Sequence, residues 1–356
     1  MTRRRFFVLY NSTQFYFPQI FFPKNDVLTI ERTNIQRAMS QIITGLHHVT
    51  ALASDAQLNV DFYAGILGLR MVKKTINFDA PDVYHLYYGN EQGAPGTIMT
   101  FFPYHGIVQG CKGKGQLTVT SFSIPVNALD YWMKRLRKFN LNYTPPQERF
   151  AGEQFIYFED NDGLGIELVA NDQDLRPGFS HGQIPLEYAV KGFYGVSLAE
   201  DGFERTAGLL IDQMNHKLIA QKDDTYRFSA SGLPGDFVDI IASPESSRGI
   251  SGAGTVHHLA FATPSDHSQL EMREKLLGQF NVTPVLDRQY FHSIYFREPG
   301  GILFEVATHP PGFAVDEALA HLGEALKLPS WVEPQRESIE KGLVPIVLQP
   351  EKFMDQ

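Results

Sequence analysis

Five residues stand out for the chemistry that their types and spacing allow. Two pairs of adjacent histidines, His47-His48 in GLHHVTALASD and His257-His258 in TVHHLAFATPSD, lie 210 residues apart in the same local setting. Each pair falls in a short alternating run, followed by a polar stop and a helical stretch. Side chains alternate across a strand. One member of each pair is therefore expected to face a cavity, and the other to support it from behind or to face helix or solvent. Glu305 sits between Phe304 and Val306 in ILFEVAT, where a bare carboxylate would be costly to bury. A metal ion or a salt bridge would remove that cost. Two histidines and one carboxylate form the facial triad of non-haem Fe(II) oxygen chemistry, with open positions for substrate and O2; the same set can hold Zn or Mn. A lone strand histidine is usually a satisfied core residue, so the weight rests on two repeated pairs joined by a buried-looking glutamate.

The elements that must position these residues repeat. Four segments run from a glycine into apolar alternation: GTIMTFFP (96–103), GLGIELVA (163–170), GDFVDIIA (235–242) and GILFEVAT (301–308). Each closes a unit of strand, helix and three strands, at about 44–103, 115–170, 187–243 and 253–308. The expected helices are Asp55–Leu67, stopped by Gly68, Asn127–Phe139, Asp201–Met214 and Ser268–Phe280. Three strands follow each helix, and no GxGxxG follows a strand, so a doubly wound parallel sheet is excluded. The expected fold is α+β: four βαβββ units paired into two domains, with curved mixed sheets around a metal-centred cavity. The expected boundaries are 39–180 for the first domain and 181–312 for the second. A helix (Val315–Leu326) and a tail complete residues 313–356.

The repeat also tests the metal idea. At the position of Glu305 the first unit has Thr100, the second Glu167 and the third Asp239. At the position of the histidine pairs the second and third units offer TVTSFS and GFYGVS, which contain no histidine. If the first and last units share a cavity, its ligands are one histidine from each plus Glu305. The other two units then form a vestigial cavity, with Glu167 and Asp239 in structural roles.

Composition narrows the function classes. The 356 residues carry a formal net charge of −9, which disfavours a phosphate-backbone binder. The single cysteine, Cys111, makes no internal disulfide or CxxC site and fits a reducing, cytoplasmic setting. No apolar run is long enough to span a membrane. Residues 1–38 differ from the rest: eight are Phe or Tyr, and their charge of +4 leaves −13 on the remaining 318. They are expected to be a poorly ordered upstream extension, with Met39-Ser40 resembling a natural start, or else an aromatic arm for a partner.

LHHVT with GILGLRMVKKTINFD, VYHLYYGN and PGTIMTFFP, together with HHLAFAT and DRQYFHSIYFREPGGILFEVAT, resembles the vicinal oxygen chelate superfamily. The closest likeness is to its ring-cleaving dioxygenases of the hydroquinone and chlorohydroquinone type, and it spans about residues 41–312. The resemblance implies an oxidoreductase that opens a small aromatic diol and incorporates both atoms of O2. It assigns His48, His258 and Glu305 as ligands of Fe(II), with Mn(II) or Zn(II) as alternatives. It places His47, His257 and Thr50 behind the ligands, and Arg288 and Tyr295 against the substrate, Arg288 favouring a phenolate and Tyr295 donating a hydrogen bond. Residues 187–243 hold only His216, outside the strand where catechol-cleaving relatives keep an acid–base histidine, so hydroquinone-type substrates are favoured. The expected partners are the diol and O2, with no nucleic acid and no membrane; a homo-oligomer is compatible with this reading. Two rivals share the scaffold: a metal-dependent isomerase or thiol transferase of the glyoxalase type, and a module that only binds a small molecule. Thr100, where a glyoxalase-type site would carry a second glutamate, argues against the first. The presence of all three ligand residues argues against the second.

Overall fold

The computed structural model describes residues 42–150 and 152–355; the expectation for residues 1–38 lies outside them. The strands form two eight-stranded mixed sheets that curl into half-barrels. In the first sheet, β1 (Gly45–Ala53), β2 (Arg70–Asn77), β3 (Ala80–Gly89) and β4 (Ile98–Pro103) come from the first unit. They are joined by β13 (Thr255–Thr263), β14 (Leu286–Asp287), β15 (Phe291–Arg297) and β16 (Leu303–Pro311) of the last. The order across this sheet is β14-β15-β16-β13-β1-β4-β3-β2. The second sheet combines β5 (Gln116–Ile124), β6 (Gln147–Arg149), β7 (Glu153–Glu159) and β8 (Gly165–Ala170) with β9 (Gly192–Glu200), β10 (Lys217–Lys222), β11 (Thr225–Ser229) and β12 (Phe237–Ala242). Its order is β10-β11-β12-β9-β5-β8-β7-β6.

The first unit therefore pairs with the fourth, and the second with the third. Each sheet therefore draws strands from both sides of the expected boundary near residue 180. The physical reason is the seam: β1 pairs antiparallel with β13, and β5 with β9, so each half-barrel closes across units that are unequally spaced along the chain.

Helices cover the outer faces. The first, α1 (Ala56–Val60), starts at Asp55, whose carboxylate accepts from the Leu58 amide at 2.8 Å. It runs directly into a π-helical turn, Asp61–Ile66, rather than continuing as α-helix to Leu67. The wider turn brings Gly65 against Phe353, where a Cβ would lie 2.7 Å from the ring. Gly68 ends the segment at φ +65°, as a helix-terminating glycine does. The others are α2 (Leu129–Lys138), α3 (Glu204–Asp212) and α4 (Asp266–Leu276), each within the expected stretch or shifted by two residues.

The helix expected at Val315–Leu326 is absent; short 3-10 turns, Phe313–Val315 and Leu319–His321, replace it. Lys73 explains why. It is fully buried, and a buried ammonium needs counter-ions. Asp316 at 2.7 Å and Glu317 at 2.8 Å supply them, which pulls the segment inward instead of letting it coil. A helix does form later, α5 (Arg336–Gly342). Among the described residues no helix is long and apolar enough to cross a membrane.

Candidate metal centre

The three proposed ligands come from three adjacent strands of the first sheet: His48 from β1, His258 from β13 and Glu305 from β16. All are buried, and their ligand atoms lie within 4.8 Å of one another. Glu305 Oε2 is 3.2 Å from His48 Nε2 and 3.0 Å from His258 Nε2, and the two Nε2 atoms are 3.1 Å apart. Yet Oε2 has no hydrogen-bond partner of acceptable geometry. Three donor atoms thus converge on one point, and a buried carboxylate oxygen is left orphaned there. That is what a site built for a cation looks like from its ligands. The other oxygen, Oε1, accepts from Ser293 Oγ in a short bond. Burial alone would raise the Glu305 carboxyl; the imidazoles of His48 and His258 outweigh it and hold the group well below the usual carboxylate range.

Strand alternation predicts that the members of each histidine pair face opposite sides, and the structure departs from this. The β1–β13 register skips His47 between Leu46 and His48, and skips His257 on the other strand between Val256 and His258. Both are bulge residues, and a bulge re-aims its side chain. Each first histidine swings beside the second, with Nδ1–Nδ1 separations of 2.8 Å in both pairs. The consequence at His47 is a fixed tautomer. Its Nε2 lies 3.2 Å from the Thr308 carbonyl, which can only accept, so Nε2 carries the hydrogen. His47 Nδ1 is then a bare acceptor, His48 Nδ1 must donate to it, and His48 Nε2 is left with a free lone pair aimed at Glu305. Burial, then the neighbouring His48, holds His47 well below its usual range and so neutral.

A cavity of about 450 Å3 opens over this point, lined by His48, His257 and His258 on one side and by Arg288, Tyr295 and Phe102 among others. Arg288 Nε is 3.3 Å from Tyr295 Oη, and its other arm is 3.4 Å from Asp79 at the cavity mouth. The Tyr295 ring meets the His258 ring edge-on at 5.7 Å. Burial, then Glu305, raises the Tyr295 phenol above its usual range, so it stays protonated. Thr50 is the cross-strand neighbour of His258, but its hydroxyl turns to the next strand. It bonds Thr100 at 2.9 Å, which bonds His85 at 2.8 Å, which in turn meets the Tyr87 hydroxyl at 2.8 Å.

His85 and Ser293 were not singled out by sequence reasoning. The available signal was inward spacing: His85 shares a strand face with Tyr87, and Ser293 with Tyr295. A larger cavity of about 550 Å3 lies elsewhere, beside Arg70, Phe179 and Phe353. It gathers none of the histidine ligand atoms and is not the site of this chemistry.

The second sheet fills the matching positions differently. Register places Val119 where His48 stands, Gly195 for His258, Glu167 for Thr100, Asp239 for Glu305 and Arg227 for Tyr295. Arg227 pairs with Asp239 at 2.7 Å and with Glu153; Arg149 pairs with Glu167 at 2.8 Å and with Glu153 at 2.6 Å. Glu167 and Asp239 are therefore held in an ion-pair network.

Half-barrels built from paired βαβββ units, with two imidazoles and a carboxylate converging on one wall, are the architecture of the glyoxalase and dioxygenase kind of protein. The chain belongs to that family: residues 45–168 match the model described as "Glyoxalase/Bleomycin resistance protein/Dioxygenase superfamily", and full-length relatives extend the match. It is 46% identical over 308 residues to "Putative ring-cleaving dioxygenase MhqO" of Bacillus subtilis, covering 86% of this chain and 98% of that one. It is 34% identical over 312 residues to "Chlorohydroquinone/hydroquinone 1,2-dioxygenase" of Sphingobium indicum, covering 85% and 95%. Among solved structures, a putative dioxygenase from Bacillus subtilis superposes with a TM-score of 0.83 at 46% identity, covering 87% and 99%. Glyoxalase I from Zea mays, at 16% identity and TM-score 0.55 over 74% of this chain and 92% of that one, shares the fold alone.

Proposed function

We propose that this chain is a ring-cleaving dioxygenase that holds Fe(II) on His48, His258 and Glu305 and opens a hydroquinone-type aromatic diol with O2. The observation that carries this reading is the convergence of two Nε2 atoms and an orphaned, buried Oε2 on one point of a cavity wall. The names of the relatives supply the reaction class. Bound there, Fe(II) would lower the pKa of a ring hydroxyl and supply the electron density that O2 needs.

The remaining work falls to this chain's own residues. Arg288 puts a positive charge on the cavity wall and favours a phenolate over a phenol. Tyr295, kept protonated, donates to a ring or oxygen-derived acceptor. With His258 Nε2 committed as a ligand, its Nδ1 carries the hydrogen, His257 Nδ1 accepts it, and His257 Nε2–H is left to the cavity as a hydrogen-bond donor. Burial, then His258, pushes His257 down to about 4, so it works as a neutral imidazole. Phe102 and Phe291 exclude water and offer the ring an apolar bed.

Thr100 argues against a fourth carboxylate ligand, because its hydroxyl is engaged by Thr50 and His85. The test is O2 consumption after anaerobic reconstitution with Fe(II), with hydroquinone, methyl- and chlorohydroquinones and catechol, while the ultraviolet spectrum follows the opened product. Uptake matched to a ring-opened product from a hydroquinone is expected. Bound metal with no uptake from any diol would overturn the reading in favour of isomerase or transferase chemistry.

A further inference from the structure

Away from the metal centre, two glutamates meet over one hydroxyl. Glu200 is the last residue of β9 in the second sheet, and Glu298 directly follows β15 in the first. Both are 97% buried, each being 3% exposed, and Thr206 of α3 is fully buried between them. Thr206 Oγ1 lies 2.6 Å from Glu200 Oε2 and 2.6 Å from Glu298 Oε2. Two bonds this short need two hydrogens, and a threonine hydroxyl has one. The second must sit on a carboxyl.

Which carboxyl carries it follows from the other partners. Glu298 accepts from the Gly300 amide at 2.6 Å and the Ile302 amide at 2.7 Å, so both of its oxygens already receive hydrogens. Glu200 Oε1 is buried with no partner at all, a setting that favours the neutral acid. The fold makes room for this contact: a Cβ on Gly300 would lie 2.7 Å from the Glu200 carboxyl carbon.

We propose that Glu200 and Glu298 share one proton through Thr206, and that this proton fastens the first sheet to the second. With it, the sequence runs carboxylic acid to hydroxyl to carboxylate, and each of the two short bonds to Thr206 carries its own hydrogen. Without it, two carboxylates face one hydroxyl in a buried joint and repel. Burial first, then the charge of Glu298, raises Glu200 from 4.5 to about 8. Arg205 on α3 favours ionisation, as the more distant Arg248 and Lys114 of the adjoining cavity would; Lys114 is already taken by Asp201.

The sign follows from linkage. The folded state keeps a proton that the unfolded chain releases near pH 4.5, so this pair's contribution is complete at lower pH and declines as pH rises to about 8. The joint also ends the strand that carries Ser293 and Tyr295, so its loosening would be felt at one wall of the metal cavity.

The test is equilibrium unfolding of the full chain in denaturant from pH 6 to 9, for wild type and Glu200→Gln, whose amide supplies the missing hydrogen without a charge. The wild-type unfolding constant is expected to rise roughly a hundredfold more than that of the variant across this range. Parallel profiles, within about twofold, would overturn the proposal. Infrared spectroscopy covers the case in which the variant does not fold. Wild type at pH 7 is expected to show a buried carboxylic-acid C=O band that disappears by pH 9, and the absence of any band titrating in that window would equally overturn it.

Discussion

The two half-barrels solve the same geometric problem with opposite chemistry. Both are seamed by an antiparallel pair, β1–β13 or β5–β9, and both seams carry bulges at matching places: His47 and His257 in one, Thr118 and Tyr194 in the other. Both put carboxylates on the inner face. In the first sheet the nitrogen neighbours of the carboxylate are imidazoles, whose lone pairs leave Glu305 with an unfilled oxygen. In the second they are guanidiniums, which carry their own hydrogens and charge and fill the space that a metal would take. Tyr194, at the position of His257, spends its hydroxyl on Glu153 at 2.6 Å. The scaffold thus provides the convergence, and the identity of four or five side chains decides between an open cluster of lone pairs and a closed ionic lock.

The largest effect should come from Glu305→Gln. Removing a residue that merely supports a ligand typically costs 10–100-fold in metal affinity or activity, so losing the ligand itself should lower diol-dependent O2 uptake by more than about a hundredfold. Iron content should fall to background while circular dichroism stays that of a folded protein. Near wild-type uptake would show that the working site is not the one in the first sheet.

Arg227→Met attacks the lock instead. It leaves Asp239 and Glu153 without their shared cation, and breaking a buried pair in this way costs about 3–5 kcal/mol. Denaturant unfolding should register that loss, with the iron content of the surviving folded protein unchanged. A variant as stable as wild type would mean that the network adds nothing to the second sheet.

Much of this contrast was legible in the residues. The Gly-led strand ends marked four units, the doubled histidines marked two of them, and Glu167 and Asp239 without histidine neighbours marked the structural half. What stayed hidden depended on register. Nothing in LHHVT announces a bulge, and without it alternation sends His47 to the wrong side of the sheet. The partners Arg149 and Arg227 come from other strands of their sheet than the acids they neutralise, so spacing cannot pair them. The C-terminal stretch has helical composition, but a buried lysine some 240 residues earlier decides its path through Asp316 and Glu317.

The smallest effect belongs to Glu167→Gln. The hydrogen bonds from Ser121 and Arg149 have a carbonyl oxygen to use instead, so the cost should be about 1–2 kcal/mol of stability and less than about twofold in kcat/KM. A large loss of activity with folding intact would make the second half-barrel a participant in the reaction rather than its foundation.

The seam between β1 and β13 has a further consequence, for the order of events during synthesis. His48 leaves the ribosome about 200 residues before the strand that pairs with it, and Glu305 follows later still. Until then β1 has one uncovered edge, and the nascent chain holds only one of the three proposed ligands. Pairings this distant in sequence are slow to close and expose strand edges to self-association. The second half-barrel, complete by residue 242, can finish first and serve as the template on which the last unit docks. On the proposed ligand set, a metal could be held only once the chain has been translated past Glu305.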